Sequence, residues 1–270
     1  MAGMGGTDMM ETYMKLLFEG EYEKADSLMR SMIPQKLYKF VLLTDEDARN
    51  EKRFRSLEDN TIFFSTVNKV NDPYEFKSIY LTEEELVGLG WSEDRARDIL
   101  AEYDPSAWFS ITCLSGNDEH CLPMWAYYTN AYRGYCVEYS VDDPAQIYRV
   151  IYDAQRMPGA FAVSRMLFAH EAEKEKEAEY YQRLLKMVLY MKHSSWSWEN
   201  EYRILNVLTE GMPSGSNVGL SKIGLRTSRI IAGLNCKPEH RERLRAICRD
   251  NGFAFNQAYV SRTSFGFEEE

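Results

Sequence analysis

No apolar run in this chain approaches the roughly 20 residues that a membrane-crossing helix needs, and its start lacks a basic segment followed by an apolar one. Neither a membrane span nor a leader is expected, and the default location is cytoplasmic. Paired cysteines are also missing. The five cysteines (Cys113, Cys121, Cys136, Cys236 and Cys248) form no Cys-x-x-Cys and are odd in number, which suits reduced thiols better than a disulfide framework. Positive charge is in deficit: 42 acidic residues face 32 basic ones, a net charge of -10. Such a chain repels a nucleic-acid backbone unless a local patch overrides the balance, so no nucleic-acid partner is expected. Absent too are a Ser-centred nucleophile elbow, a Walker loop and a Gly-x-Gly-x-x-Gly turn, the usual anchors of hydrolase and nucleoside-triphosphatase readings. His120 and Cys121, with Cys113 and Cys136, match no zinc spacing and read as buried thiols beside a histidine.

What is present builds a core. Hydrophobic residues make up 44% of the chain and aromatic residues 13%. Residues 1–6, MAGMGG, read as a disordered start, and the apolar spacing from Met9 to Met32, broken at Gly20, predicts a helical hairpin that ends at Pro34. The hairpin and its lead occupy residues 1–34, and a single domain is expected over 35–270. Strands are predicted at 37–43 (LYKFVLL), 61–67 (TIFFSTV), 107–115 (AWFSITCLS), 135–141 (YCVEYSV), 147–153 (IYRVIYD), 194–208, 227–236 and 253–261. Helices are predicted over the charged stretch 44–59, in two short pieces over 81–103, over 121–134, as one long helix over 161–192, and over 238–252. MPSGSNVG (212–219) reads as a loop. Roughly seven or eight strands that do not alternate regularly with helices indicate an α+β fold, with a mixed, largely antiparallel central sheet, flanking helices and the N-terminal hairpin.

Four stretches could carry chemistry. Asn71-Asp72-Pro73-Tyr74-Glu75 fits a helix start in which Asp72 caps and Glu75 reaches back, and equally a ligand site. In MWAYYTNAYRGY, Trp125, Tyr128 and Tyr132 fall on one helical stripe, either core or a stacking platform, with Arg133 next to the helix-ending Gly134. His193 reads as a cap or a general base. In SSWSWENEYRI, strand alternation would put Trp196, Trp198, Tyr202 and Ile204 on one side and Glu199, Glu201 and Arg203 on the other. That charged row is either a solvated face or the floor of a site.

In this order, LYKF, FFSTVNKVNDPYEF, ITCLS followed by MWAYYTNAYRGYCVEYS, and KHSSWSWENEYRIL resemble a bacterial family catalogued as domain of unknown function 2971, over roughly residues 36 to 260. The family pattern falls on Leu37 to Phe40, Asn71 to Glu75, Met124 to Tyr128 with Gly134, and Trp196 with Glu199, Glu201 and Arg203; Asn130, Ala131 and Tyr132 stand where a histidine is often found. More remotely, Lys39 on a first strand, Ser65-Thr66 ending a second, and Glu199-x-Glu201 on a later one are similar to the three-part signature of ADP-ribosyltransferases. That likeness implies NAD as cofactor, Glu201 and Glu199 as catalytic residues, and Lys39, Ser65, Thr66, Asn71, Asp72, Tyr128 and Arg203 as the cofactor pocket. ADP-ribosyl transfer or NAD hydrolysis follows as the expected activity, in stress or phage defence, with a small-molecule nucleotide or a protein as acceptor. The alternative is a noncatalytic ligand- or protein-binding domain whose acidic-aromatic surface recognises a partner and whose helical hairpin docks it. A metal-dependent nuclease using Asp72, Glu75, Glu199 and Glu201 is a third reading.

Overall fold

The computed structural model describes residues 6–208, 215–263 and 267–269. The disorder expected at 1–5 and the first part of the 212–219 loop lie outside the described residues; Gly6, expected in that disordered start, opens the first helix. Helices α1 (Gly6–Phe18) and α2 (Tyr22–Ser31) form the hairpin, turning at Gly20 with φ of 74°. Tyr13, Leu17, Ala25 and Met29 close its inner face, which packs on Tyr180 and Met187 of the main body.

The chain continues through β1 (Lys36–Val41), α3 (Asp47–Glu58), β2 (Thr61–Thr66) and β3 (Ile79–Tyr80). Helices α4 (Glu83–Gly88) and α5 (Glu93–Glu102) follow, each started by a hydroxyl: Thr82 accepts from the Glu85 amide and Ser92 from the Arg95 amide. Then come β4 (Phe109–Ser115), α6 (Leu122–Tyr128), β5 (Tyr135–Val141), β6 (Tyr148–Arg149), β7 (Ile151–Asp153) and β8 (Met157–Pro158). The long helix expected over 161–192 is broken into α7 (Ala160–Glu171) and α8 (Glu175–Val188), with Glu173 at φ 55° between them. An uninterrupted helix would leave its apolar residues without a partner. Folding back brings Leu185 into the cluster of Leu167, Phe168, Trp91 and Leu86.

The remaining elements are β9 (Met191–His193), β10 (Glu201–Val207), β11 (Ser216–Gly219), β12 (Leu225–Ala232), α9 (Pro238–Asn251), β13 (Ala254–Val260) and β14 (Phe267–Glu269). Ser216–Gly219, read from composition as loop, is thus a strand, because it pairs antiparallel with β2 along Phe64 to Thr61.

Among the described residues ten strands form one sheet, ordered β11-β2-β4-β1-β5-β12-β13-β14, with β10 beside β4 and β6 beside β10. The fold is α+β with a mixed, largely antiparallel sheet: the pair β12 and β13, joined through α9, is parallel, whereas the other pairings in this sheet are antiparallel. No helix in the described residues is long and apolar enough to cross a membrane.

One feature of the sheet sets up the site. β10 occupies one whole edge of β4, from Glu201 opposite Ser115 to Val207 opposite Phe109. The other edge is shared: β1 meets it at Ser115 through Tyr38, and β2 meets it at Ile111 and Ser110 through Ser65 and Thr66. β1 and β2 therefore splay apart over residues 112–114 of β4, and α3, which links them, stands over the gap.

Close backbone packing supports this geometry. A Cβ on Gly134 would overlap the carbonyl oxygen of Val41 at the end of β1. Gly134→Ala should therefore destabilise the protein by about 1–3 kcal/mol, read by urea unfolding; an unchanged midpoint would contradict the packing of β5 on β1.

Candidate functional site

The splayed strands open a cleft of about 1040 Å³, large enough for a nucleotide-sized ligand. β1, α3, β2, the loop after β2, β4, α6, β9 and β10 all contribute to its walls.

The stretch 194–204 does not fold as a continuous strand. Ser194–Glu199 is a 3₁₀ turn, capped by the His193 ring nitrogen accepting from the Ser195 amide at 3.2 Å, and it ends at Asn200 in the left-handed region, φ 46°. Only from Glu201 does strand alternation apply, with Tyr202 and Ile204 in the main core and Glu201 and Arg203 on the opposite face. Asparagine tolerates that backbone better than most residues. The turn brings Glu199 to the same place as Glu201 and separates the tryptophans from Tyr202 and Ile204: Trp196 lies against the Lys192 ammonium, 4.8 Å from the ring centre, and Trp198 packs, half-buried, on the cluster of Tyr38, Phe40 and Trp125, near Tyr127 and Tyr128.

The floor of the cleft is a buried chain of charge. The Arg203 guanidinium, fully buried, donates through Nε to Glu201 at 2.7 Å and through an NH2 group to Glu75 at 2.9 Å, and it also donates to the Leu189 carbonyl. Lys192 donates to Glu201 at 3.0 Å and to Glu199 at 2.5 Å, and the Tyr128 hydroxyl donates to the other Glu199 oxygen. Glu75, Glu199 and Glu201 are each less than 5 % exposed. Arg203 and Lys192, with the buried Lys39 acting on Glu201 as well, thus face three carboxylates in a space where unbalanced charge is costly.

The imbalance drives the titrations apart. Burial pushes Glu201 upward, but Arg203 and Lys192 outweigh it and hold the carboxyl down at about 2. Burial also raises Glu199, and there Lys192 and Tyr128 only partly offset it, leaving the carboxyl above its ordinary range. Glu75 is raised in the same way, with Arg203 opposing. Lys192 is disfavoured by burial, yet Glu201 and Glu199 raise it above its ordinary value. Cys113 hydrogen-bonds Glu201, and burial lifts its thiol far above the usual range, so it is not a thiolate nucleophile.

Of the residues singled out from the sequence, Lys39, Ser65, Asn71, Tyr128, Glu199 and Glu201 all line this cleft. Lys39 is turned inward, its ammonium donating to Thr112 Oγ1 and to the Cys113 carbonyl, both at 2.9 Å, where β4 lacks a strand partner on that edge. Thr66, Asp72 and Arg203 stand behind the lining. The helix start at Asp72 is instead a four-residue turn: Asp72 Oδ1 accepts from the Tyr74 amide at 2.8 Å, and Phe76 adopts φ 59°. Glu75 does not reach back to a cap, because the buried guanidinium of Arg203 claims its carboxylate. Helix α6 ends at Tyr128, earlier than Gly134, since Asn130, Ala131 and Tyr132 form a left-handed turn with φ of 55°, 54° and 67°. Asn130 donates to the Leu43 carbonyl at 2.9 Å and Asn235 to that of Tyr132, which hold the turn in place.

Sequence reasoning missed Lys192, the central cation, which no spacing tied to residues beyond the 3₁₀ turn. It also missed the face of α3 that lines the cleft. The four acidic residues of the nuclease reading do not form a ligand group among the described residues: Asp72 is held in its own turn and the three glutamates are engaged by Arg203 and Lys192. Comparison of the chain with family models, with curated proteins and with solved structures gave no match.

Proposed function

We propose that this cleft binds NAD and cleaves its nicotinamide–ribose bond, passing the ADP-ribosyl group to water or to an acceptor. The observation that carries the reading is the pair Glu199 and Glu201, side by side on one floor, with carboxyl pKa values driven in opposite directions. Divergent carboxylates are the mark of divided acid–base roles. Nicotinamide leaves as a neutral ring and needs no proton, while the ribose carbon it abandons becomes oxocarbenium-like. Ionised Glu201 stabilises that developing positive charge. Glu199, with its raised affinity for protons, takes the proton from the attacking water or acceptor hydroxyl. Lys192 and Arg203 act as positioning residues. The likeness of Lys39, Ser65-Thr66 and Glu199-x-Glu201 to the ADP-ribosyltransferase signature supports the same reading.

The test is nicotinamide release from NAD by the purified protein. Because Glu199 must be ionised to act as base, activity should fall on acidification through a limb lying above the ordinary glutamate value of about 4.3, and no limb should arise from Glu201, which stays ionised down to about 2. A flat profile between pH 4 and 8, or no release at all, would overturn the mechanism. A second reading, a noncatalytic binding domain, is supported by Tyr127, 68% exposed at the cleft mouth and 5.5 Å from the Trp198 ring. NAD binding by calorimetry with no nicotinamide release would favour it.

A further inference from the structure

The cleft has a second pole that the floor does not explain. Helix α3 buries Phe54 and Leu57 in the main core and Asn50 against Thr44 and His240 of α9. Its neighbouring face, at helical spacings of three and four, carries Arg49, Lys52, Arg53 and Ser56, and all four line the cleft. Lys69, after β2, lines it as well. Arg49 is paired with Glu46 at 2.9 Å, but among the described residues Lys52, Arg53 and Lys69 have no carboxylate within ion-pair distance. Arg53 is half-buried and spends one donor on Asn50 Oδ1 at 3.3 Å. Burial disfavours its charge and outweighs the rest, with Arg49 adding repulsion and Tyr135 and Glu46 opposing it. In a chain with a net charge of -10, Lys52, Arg53 and Lys69 line the cleft without an ion-pair partner among the described residues; of the carboxylates on the α3 side, Glu46 is paired with Arg49 and Asp59 lies outside ion-pair reach of all three.

The floor differs, because there Glu75, Glu199 and Glu201 already engage Arg203 and Lys192, and the remaining cation, Lys39, is spent on Thr112 and the Cys113 carbonyl. An anion there would find the cationic donors already taken; beside α3 it would find guanidinium and ammonium donors suited to phosphate oxygens. We propose that Lys52 and Arg53 of α3, with Lys69, form a subsite for the phosphate groups of a nucleoside diphosphate whose sugar extends toward the Glu199–Glu201 floor. The cleft is then bipolar, matched to a ligand with an anionic diphosphate at one end and a carbon that turns positive at the other. This subsite rests on the NAD reading only for what happens at the floor; the phosphate pole stands on its own residues.

The experiment is calorimetric titration of the full chain with ADP, with inorganic pyrophosphate and with adenosine, for the wild type, for the double variant Lys52→Gln/Arg53→Gln, and for Arg245→Gln on the exposed face of α9 as control. ADP should bind the wild type and the control alike, and the double variant about 10-fold more weakly or worse, as expected for lost hydrogen bonds to a charged group. Adenosine affinity should not move, and pyrophosphate should compete with ADP. ADP binding that is undetectable in the wild type, or equal in wild type and double variant, overturns the subsite. So does a single-stranded oligonucleotide that binds more than 10-fold tighter than ADP through the same two residues. The two proposals separate cleanly. Nicotinamide release with an unchanged KM in the double variant removes the subsite and leaves the activity. Loss of ADP affinity in the double variant, in a protein that releases no nicotinamide, keeps the subsite and removes the activity.

Discussion

Glu201→Gln should lower nicotinamide release by about 10²–10³-fold, the scale of removing one fixed electrostatic partner from a reacting centre. Glutamine keeps the shape and can still accept from Arg203 and Lys192, which retain Glu75 and Glu199 as ionic partners. What is lost is the full negative charge facing the ribose carbon. The loss should therefore fall on kcat with KM little changed, since the charge matters most after nicotinamide has begun to leave. Glu199→Gln should also slow the reaction at the pH values where Glu199 is ionised and remove the acid limb, leaving a low and flat profile, whereas Glu201→Gln should keep the limb. A Glu201→Gln protein that releases nicotinamide at the wild-type rate would end the assignment of Glu201, whatever its stability.

Arg203→Met should be the most damaging substitution for stability, at about 3–5 kcal/mol, because it leaves Glu75 and Glu201 facing each other in a buried space with a cation removed. In thermal unfolding this corresponds to a Tm lower by roughly 6–20 °C for a chain of this size class. Adding Glu75→Gln should recover part of the loss, with a coupling of about 0.5–3 kcal/mol. A loss under about 1 kcal/mol would mean that water reaches the network. The same ion pairs give an acid dependence of defined sign. Glu201 sits lower in the folded state than the unfolded value near 4.3, so its contribution is complete above that value and disappears as the pH falls toward about 2. Glu75 and Glu199, raised in the fold, act the other way and favour the folded state at lower pH.

Several elements were legible because local chemistry alone determines them. Gly20 with its positive φ turned the hairpin, the glycines within 81–103 divided that stretch into α4 and α5, and Gly252, φ 76°, stopped α9. Runs of β-branched and aromatic residues marked β1, β2, β4 and β5, which is why an α+β fold with a largely antiparallel sheet could be read in advance. Where a second strand supplied the reason, reading failed: Ser216–Gly219 is a strand only because β2 lies beside it. The strict alternation in SSWSWENEYRI was half misleading. Side-chain period is the same pattern whether or not the backbone is extended, and here Asn200 in the left-handed region divides a turn from a strand.

By itself, then, the sequence determined which residue types this protein places in each element and the polar set that had to be accommodated: Lys39, Ser65, Thr66, Asn71, Asp72, Tyr128, Glu199, Glu201 and Arg203. Only the tertiary structure decided their arrangement. It sent Arg203 beneath the floor and Lys39 into a gap in β4, it added Lys192, it tied Glu75 to Arg203 in place of a helix cap, and it swung α3 over the cleft. The physical reason is that buried charge cannot be left unpaired. Which carboxylate meets which cation depends on strands that splay and turns that reverse, across separations as long as that between Glu75 and Arg203, and no local periodicity encodes that pairing.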